Sequence, residues 1–314
     1  MPTAVRLEHQ HADQRRLTVV DWNLGNICNY SCSYCPSFLH DGSVKWPPAE
    51  VILRFAACLH AHYSGLGQSL FFQFSGGEPT LHPSFRSIVE HLSSMGDVGV
   101  ISNGSRPSSW WSEVADSLDY ACISVHAERA NLSHISDILS VITRKMSVHV
   151  NVTMIPERFD ECYEIASQIG RGFSQVTITL KPLLKGFGKE LFDYSDAQLD
   201  RLRQGLRCGS KRSASRPHRG PMRRVFSDGT SQIVSASQLL IRDDNHWKGW
   251  TCSAGVEMLS ITRNGKVYIA NCRQESLGSI YDDKLRFSDE PVICSQQSCS
   301  CLADIMLTKV NVEK

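Results

Sequence analysis

No run in the 314-residue chain reaches the ~18 apolar residues a membrane-spanning helix needs, and residues 1–16 are polar and charged with no apolar leader core. Neither a membrane span nor an exported product is expected. Charge of one sign is also missing. Formal net charge is +1, so no global field draws the chain to nucleic acid or to a membrane surface. Acid is absent locally between 207 and 224, where Arg207, Lys211, Arg212, Arg216, Arg219, Arg223 and Arg224 stand with Pro217, Gly220 and Pro221. That stretch has none of the interleaved aromatics of a single-stranded nucleic-acid groove. It reads as a solvated linker, with a phosphate or leader-peptide contact as the sharper alternative.

What the chain does have is cysteine. Of 12 cysteines, Cys58, Cys122, Cys162 and Cys208 are scattered singly and the rest fall into two clusters, a pattern of metal ligation in a reducing compartment rather than of a disulfide scaffold. A cytoplasmic location is expected. The scattered four read as small buried hydrophobes. Hydrophobic residues make up 41% of the chain, enough for a sizeable core, and the length suggests about two domains.

Cys28, Cys32 and Cys35 follow an apolar run, 17–23, that reads as a strand. Three thiolates on a compact loop can hold three irons of a cubane cluster and leave the fourth iron open. A structural zinc site would need a fourth ligand, for which His40 is the nearby candidate. Downstream, a second strand at 69–74 runs into Ser75-Gly76-Gly77-Glu78-Pro79. The glycines permit a sharp turn and a close backbone approach, Pro79 fixes the turn, and Glu78 with the exposed carbonyls can accept from an ammonium group.

On Cys28, Cys32, Tyr34, Cys35 and the Gly76 to Pro79 turn, the chain resembles the radical S-adenosylmethionine (SAM) superfamily. The resemblance implies that the three cysteines hold a [4Fe-4S] cluster whose open iron is chelated by the amino and carboxylate groups of SAM, with the glycine turn contacting that amino group. It also implies reductive cleavage of SAM to a 5'-deoxyadenosyl radical that abstracts hydrogen from a substrate C-H bond, in a lumen that keeps water out. An external one-electron reductant such as flavodoxin or ferredoxin is then expected.

Strand signals at 18–23, 69–74, 97–102, 120–126, 147–154 and 175–181 alternate with helical patterns at 48–66, 83–95, 108–117, 131–145 and 159–169. That alternation predicts an α/β fold with a mostly parallel sheet. By resemblance the sheet forms a partial (β/α)6 barrel. Strand parity puts Val148, Val150 and Val152 against the helices and turns His149, Asn151 and Thr153 to the other face, as it does Thr177, Thr179 and Lys181. Ser124 and His126 share a face in the same way. Because ligands gather at the carboxyl ends of parallel strands, Ser75, Asn103, Ser124, His126, Asn151, Thr153 and Lys181 are the candidates for contacts to SAM or substrate. Each also has a plain reading as a satisfied polar group; Asn103-Gly104 is a turn dipeptide.

Near the carboxyl end, Cys252 and Cys272 bracket a hairpin expected around Asn264-Gly265, and Cys294, Cys299 and Cys301 return behind it. This part resembles the twitch domain, a shortened relative of the SPASM domain that holds an auxiliary [4Fe-4S] cluster. It departs from that pattern in having more residues between Gly265 and Cys272 and in its closing cysteine spacing. Five cysteines for four ligand positions leave the assignment open, and zinc is the alternative metal. A spare thiol, Cys301 in first place, could return a hydrogen atom to a substrate radical.

The expected organisation is therefore an N-terminal extension (1–16), a radical SAM partial barrel (17–205), a basic linker (206–250) and a small cysteine-rich auxiliary-cluster domain (251–314). The expected activity is oxidation or epimerisation of a small polar, sugar-like molecule. A peptide-modifying epimerase or cross-linking enzyme is the runner-up. A noncatalytic iron-sulfur or zinc protein is the reading from another class.

Overall fold

The computed structural model describes residues 2–187, 190–206 and 221–312. Cys208 and the basic residues from Arg207 to Arg219 lie outside the described residues. The chain divides into two compact units, one of Met1–Asn23, Pro47–Gln73 and Arg216–Lys314, the other of Leu24–Trp46 and Phe74–Ser215.

The first unit contains β1 (Ala4–His9), β2 (Leu17–Asn23), α1 (Ala49–Gly65) and all but the last two residues of β3 (Ser69–Ser75). Helix α1 buries Ile52, Phe55, Ala56, Leu59 and Tyr63, the 3-4 spacing of one apolar stripe. Phe55 meets the edge of Trp22 from β2 at 5.7 Å.

The second unit continues with α2 (Phe85–Leu92), β4 (Asp97–Ser102), α3 (Ser108–Val114), β5 (Tyr120–Val125) and α4 (Leu132–Ile142). It ends with β6 (Ser147–Met154), α5 (Phe159–Gly172), β7 (Thr177–Pro182) and α6 (Asp196–Gln204). Strands β4, β5, β6 and β7 pair in that order, all parallel. Among the described residues β7 is an edge strand, so no closed barrel forms. Helix α4 starts where the Asn131 side chain accepts from the His134 N-H, and it buries Ile135, Ile138, Leu139 and Ile142. Each such side chain contributes roughly 1.5–3 kcal/mol. Val148, Val150 and Val152 are buried while His149 and Asn151, on the opposite face, are half-buried, which is the alternation expected from the sequence.

The rest of the first unit comprises β8 (Met222–Phe226), β9 (Ser231–Val234), α7 (Ala236–Ile241), β10 (Thr251–Cys252) and β11 (Met258–Ile261). After these come β12 (Lys266–Tyr268), β13 (Ser276–Ser279), β14 (Val292–Ile293), α8 (Leu302–Ile305) and β15 (Lys309–Val310). One sheet runs β14-β10-β15-β1-β8-β9. A second part has β13, β12, β11 and β2 side by side, with β11 parallel to β2 and antiparallel to β12. The hairpin expected at Asn264-Gly265 joins β11 to β12, with Gly265 at φ +76°.

Three expectations are corrected. Residues 4–9 are a central strand, not part of an extension, because β1 pairs with β8 on one side and β15 on the other. Residues 222–241, read as linker, form β8, β9 and α7; Arg223 and Arg224 there are held by Glu8 at 2.6 Å and Asp244 at 2.8 Å. Cys58, read as buried, is exposed.

Candidate active site

The cysteine loop and the glycine turn are built against each other within the second unit. The Ile27 carbonyl accepts from the Glu78 N-H at 2.8 Å, and the Ser75 carbonyl from the Leu24 N-H at 2.9 Å. Gly76 and Gly77 sit at φ +94° and +54°. A Cβ at Gly77 would stand 2.3 Å from the Ile27 carbonyl oxygen, so no other residue fits there.

Glu78 is fully buried. Its carboxylate accepts from Thr80 N (3.1 Å), Thr80 Oγ1 (2.6 Å), Ser102 Oγ (2.9 Å) and Asn103 N (2.6 Å). Burial pushes the carboxyl upward, and these donors pull against it. Both oxygens are thus engaged by the chain itself, and Glu78 braces the turn that the sequence had offered to a ligand.

Asn103, at the end of β4, donates from Nδ2 to Asn29 Oδ1 at 3.0 Å and lies 3.8 Å from Cys28 Sγ. Cys28 Sγ also accepts from the Tyr30 N-H at 3.4 Å. A turn bond from Cys35 N to Cys32 O at 3.0 Å folds the loop back on itself. Burial, then the neighbouring Cys32 and Cys28, pushes the Cys35 thiol up to about 11. Three mutually interacting soft donors on one loop fit a thiolate-bound cluster. Among the described residues no group of three or more His, Cys, Asp or Glu side chains is gathered as a single-ion site. A cubane spreads its thiolates over separate irons, so its ligands need not converge on one point.

Residues the sequence reading missed hold this loop in place. Glu128 accepts from Ser33 N at 2.8 Å and from Ser33 Oγ, and Arg129 Nη2 donates to Ser31 O at 3.1 Å and Ser31 Oγ at 2.9 Å. Buried Asn26 donates to Phe38 O, Asp41 Oδ1 and Ser43 Oγ and accepts from Val44 N, fixing the way out of the loop. No local signal marks Asn26. Glu128 and Arg129 follow the strand-end His126, a position from which they could have been sought.

His126 Nδ1 and the Tyr34 hydroxyl share a hydrogen bond at 2.5 Å, with the rings stacked at 6.0 Å. Burial, with the charge of Lys181 second, drops His126 to about 4, which favours the neutral imidazole. On the same polar face Asn151 donates to Cys122 Sγ at 3.1 Å and accepts from His149 at 3.0 Å. Ser124 pairs with Asn151 and Thr153 with Lys181 in the sheet register. Lys181 is exposed, and its charge is felt at His126, His149 and Cys122. Ser75 ends β3, half-buried. Cys122 was set aside in the sequence reading, although its parity with Ser124 and His126 places it on this face.

In the first unit, Cys252, Cys272, Cys294 and Cys299 line one cavity together with Asp304 and Lys309. Cys301 does not line it; it is the N-cap residue of α8. Burial pushes Cys272 up to about 11 and raises Cys252 and Cys299 as well.

A sequence model of the radical SAM superfamily matches residues 22–182, which span both the cysteine loop and the glycine turn. The chain belongs to the radical SAM superfamily, whose enzymes use a [4Fe-4S] cluster and SAM. Among solved structures it is similar to native anSMEcpe with bound AdoMet, at 18% identity and a TM-score of 0.52 over 85% of this chain and 78% of that one. It is also similar to Streptococcus suis SuiB bound to S-adenosylmethionine (13%, TM-score 0.55) and to SuiB bound to precursor peptide SuiA (12%, 0.53), each over 85% of this chain and 64% of that one. At such identities the likeness is one of fold. No curated protein matches the chain. No helix among the described residues is long and apolar enough to cross a membrane.

Proposed function

We propose that the chain cleaves SAM reductively and removes hydrogen from a small polar substrate, so that the substrate is oxidised or epimerised. The observation that carries this reading is the docking of the Gly76 to Pro79 turn on Ile27, one residue before Cys28. When bound, the cluster supplies the electron that splits SAM into methionine and a 5'-deoxyadenosyl radical, which takes hydrogen from a C-H bond.

The chain's own part is positional. Cys28, Cys32 and Cys35 would hold the cluster, and Asn103 would steady the Cys28 end of the loop. With the Glu78 carboxylate committed to Thr80, Ser102 and Asn103, contact to the SAM ammonium falls to backbone carbonyls of the turn. Asn151, Thr153 and Lys181 offer polar contacts to substrate or SAM from the ends of β6 and β7, in what we read as an open partial barrel. Cys252, Cys272, Cys294 and Cys299 would hold an auxiliary cluster in a twitch-like domain, leaving Cys301 spare.

A peptide substrate is the second reading, favoured by the likeness to SuiB in its complex with SuiA. The test is anaerobic reconstitution with iron and sulfide, chemical reduction, and an assay for 5'-deoxyadenosine. Product from the parent and none from Cys32→Ala is expected. Equal product from both would end the radical reading.

A further inference from the structure

Lys309 is 1% exposed, yet it forms no ion pair with a carboxylate among the described residues. Its Nζ donates to three backbone carbonyls, Asp304 at 2.6 Å, Leu307 at 3.1 Å and Ile305 at 3.2 Å, and lies 4.6 Å from the centre of the Trp247 ring. The carbonyls at the end of α8 and the ring face satisfy its protons and hold it in place, but they carry no formal charge. Burying an ammonium with no carboxylate at ion-pair distance is unfavourable. The chain retains it at the wall of the cavity lined by Cys252, Cys272, Cys294 and Cys299.

The other charged side chain on that wall, Asp304, makes no ion pair with Lys309 among the described residues. Asp304 is 2% exposed; its Oδ1 accepts from Asn271 N at 3.1 Å and its Oδ2 has no hydrogen-bond partner. Its only printed contact with Lys309 is through the backbone, where the Asp304 carbonyl accepts from Nζ at 2.6 Å. A centre held by four thiolates supplies the missing anion, because cysteines bound to metal are deprotonated and outweigh the charge of a cubane core.

We infer that Lys309 is the fixed counter-charge of the four-cysteine centre and raises its reduction potential. The inference rests on the auxiliary-cluster reading. A positive charge in a dry wall stabilises the reduced, more negative state of a cluster over the oxidised one, and net charge is one of the levers that set such potentials. Lys309 is thus a positioning residue for charge and does not act as a ligand.

The test uses the full chain with Cys28, Cys32 and Cys35 all changed to Ala, so that only the second centre can load. After anaerobic reconstitution, iron is counted and the cluster is titrated electrochemically with EPR detection. The parent should carry about four irons. Lys309→Met should shift the midpoint to more negative potential, whereas Lys309→Arg, which keeps the charge, should stay close to the parent. An unshifted midpoint in Lys309→Met would overturn the counter-charge. If Lys309→Met fails to load, loading restored in Lys309→Arg upholds it and loss in both variants overturns it. Zinc without iron in the parent would overturn the auxiliary-cluster reading itself, and the counter-charge with it.

Discussion

Gly77 and Ile27 touch through backbone alone: a Cβ on the glycine would come within 2.3 Å of the isoleucine carbonyl oxygen. Gly77→Ala therefore cannot be accommodated by a side-chain shift. Left-handed backbone strain alone costs about 1–3 kcal/mol, before the clash is counted. We expect a lower melting temperature and loss of most of the iron bound by Cys28, Cys32 and Cys35, measured in a chain whose tail cysteines are changed to Ala. Full iron loading in that variant would show that the turn does not set the loop.

Glu128 acts on the same loop from the other side. Although burial pushes its carboxyl up, the two Ser33 donors and nearby arginines hold it below the ordinary range. Glu128→Ala removes both Ser33 bonds, worth about 1 kcal/mol at this exposed site, and should speed iron release to a chelator severalfold. Glu128→Gln keeps an acceptor and should fall between. Identical release rates for Ala and parent would reduce Glu128 to a surface residue.

The neutral state of His126 has a pH signature. Its pKa lies at about 4 in the folded chain, below the ordinary value near 6.5, so the unfolded chain takes up the proton first as pH falls. Stability should therefore drop through the window from about 6.5 to about 4, by up to about 3 kcal/mol in total. Urea unfolding of the metal-free protein across that window should show this slope. His126→Gln should flatten it, and an unchanged slope in the variant would assign the protons elsewhere.

Heavy water separates the two chemical outcomes. If Cys301 returns a hydrogen atom, the product gains one solvent deuterium, and Cys301→Ala loses that label while still forming 5'-deoxyadenosine. A product two hydrogens lighter than substrate, with no deuterium, would instead mark dehydrogenation.

Where side-chain alternation or helical spacing carried the information, the sequence was a good guide. The bounds expected for β4 and β6 match the structure, because each strand buries one continuous apolar face. Short strands escaped notice: β1 and β8 owe their place to each other across more than two hundred residues, with Glu8 at the centre of Arg6, Arg15 and Arg223. Only that partnership turns basic residues of an apparent linker into a paired strand. The motif residues themselves were legible, but the engagement of Glu78 was not, since two of its donors come from Ser102 at the end of β4 and from Asn103 just after it. Nor could spacing tell that four tail cysteines line a cavity and a fifth caps α8. That division is set by tertiary packing around Ala254, Ala270 and Leu307.

The pairing of β1 with β15, Leu7 opposite Lys309, has a consequence for biogenesis. Strand β1 has to wait for β15, far along the chain, before this part of its sheet can close, which makes this a slow, high-contact-order step. Lys309, on the wall of the four-cysteine cavity, lies on β15. Until β15 docks on β1, the four thiols stand with their wall incomplete. If the cavity holds the proposed auxiliary cluster, changes that disturb residues 309–310 should show their damage first as a failure of metal insertion.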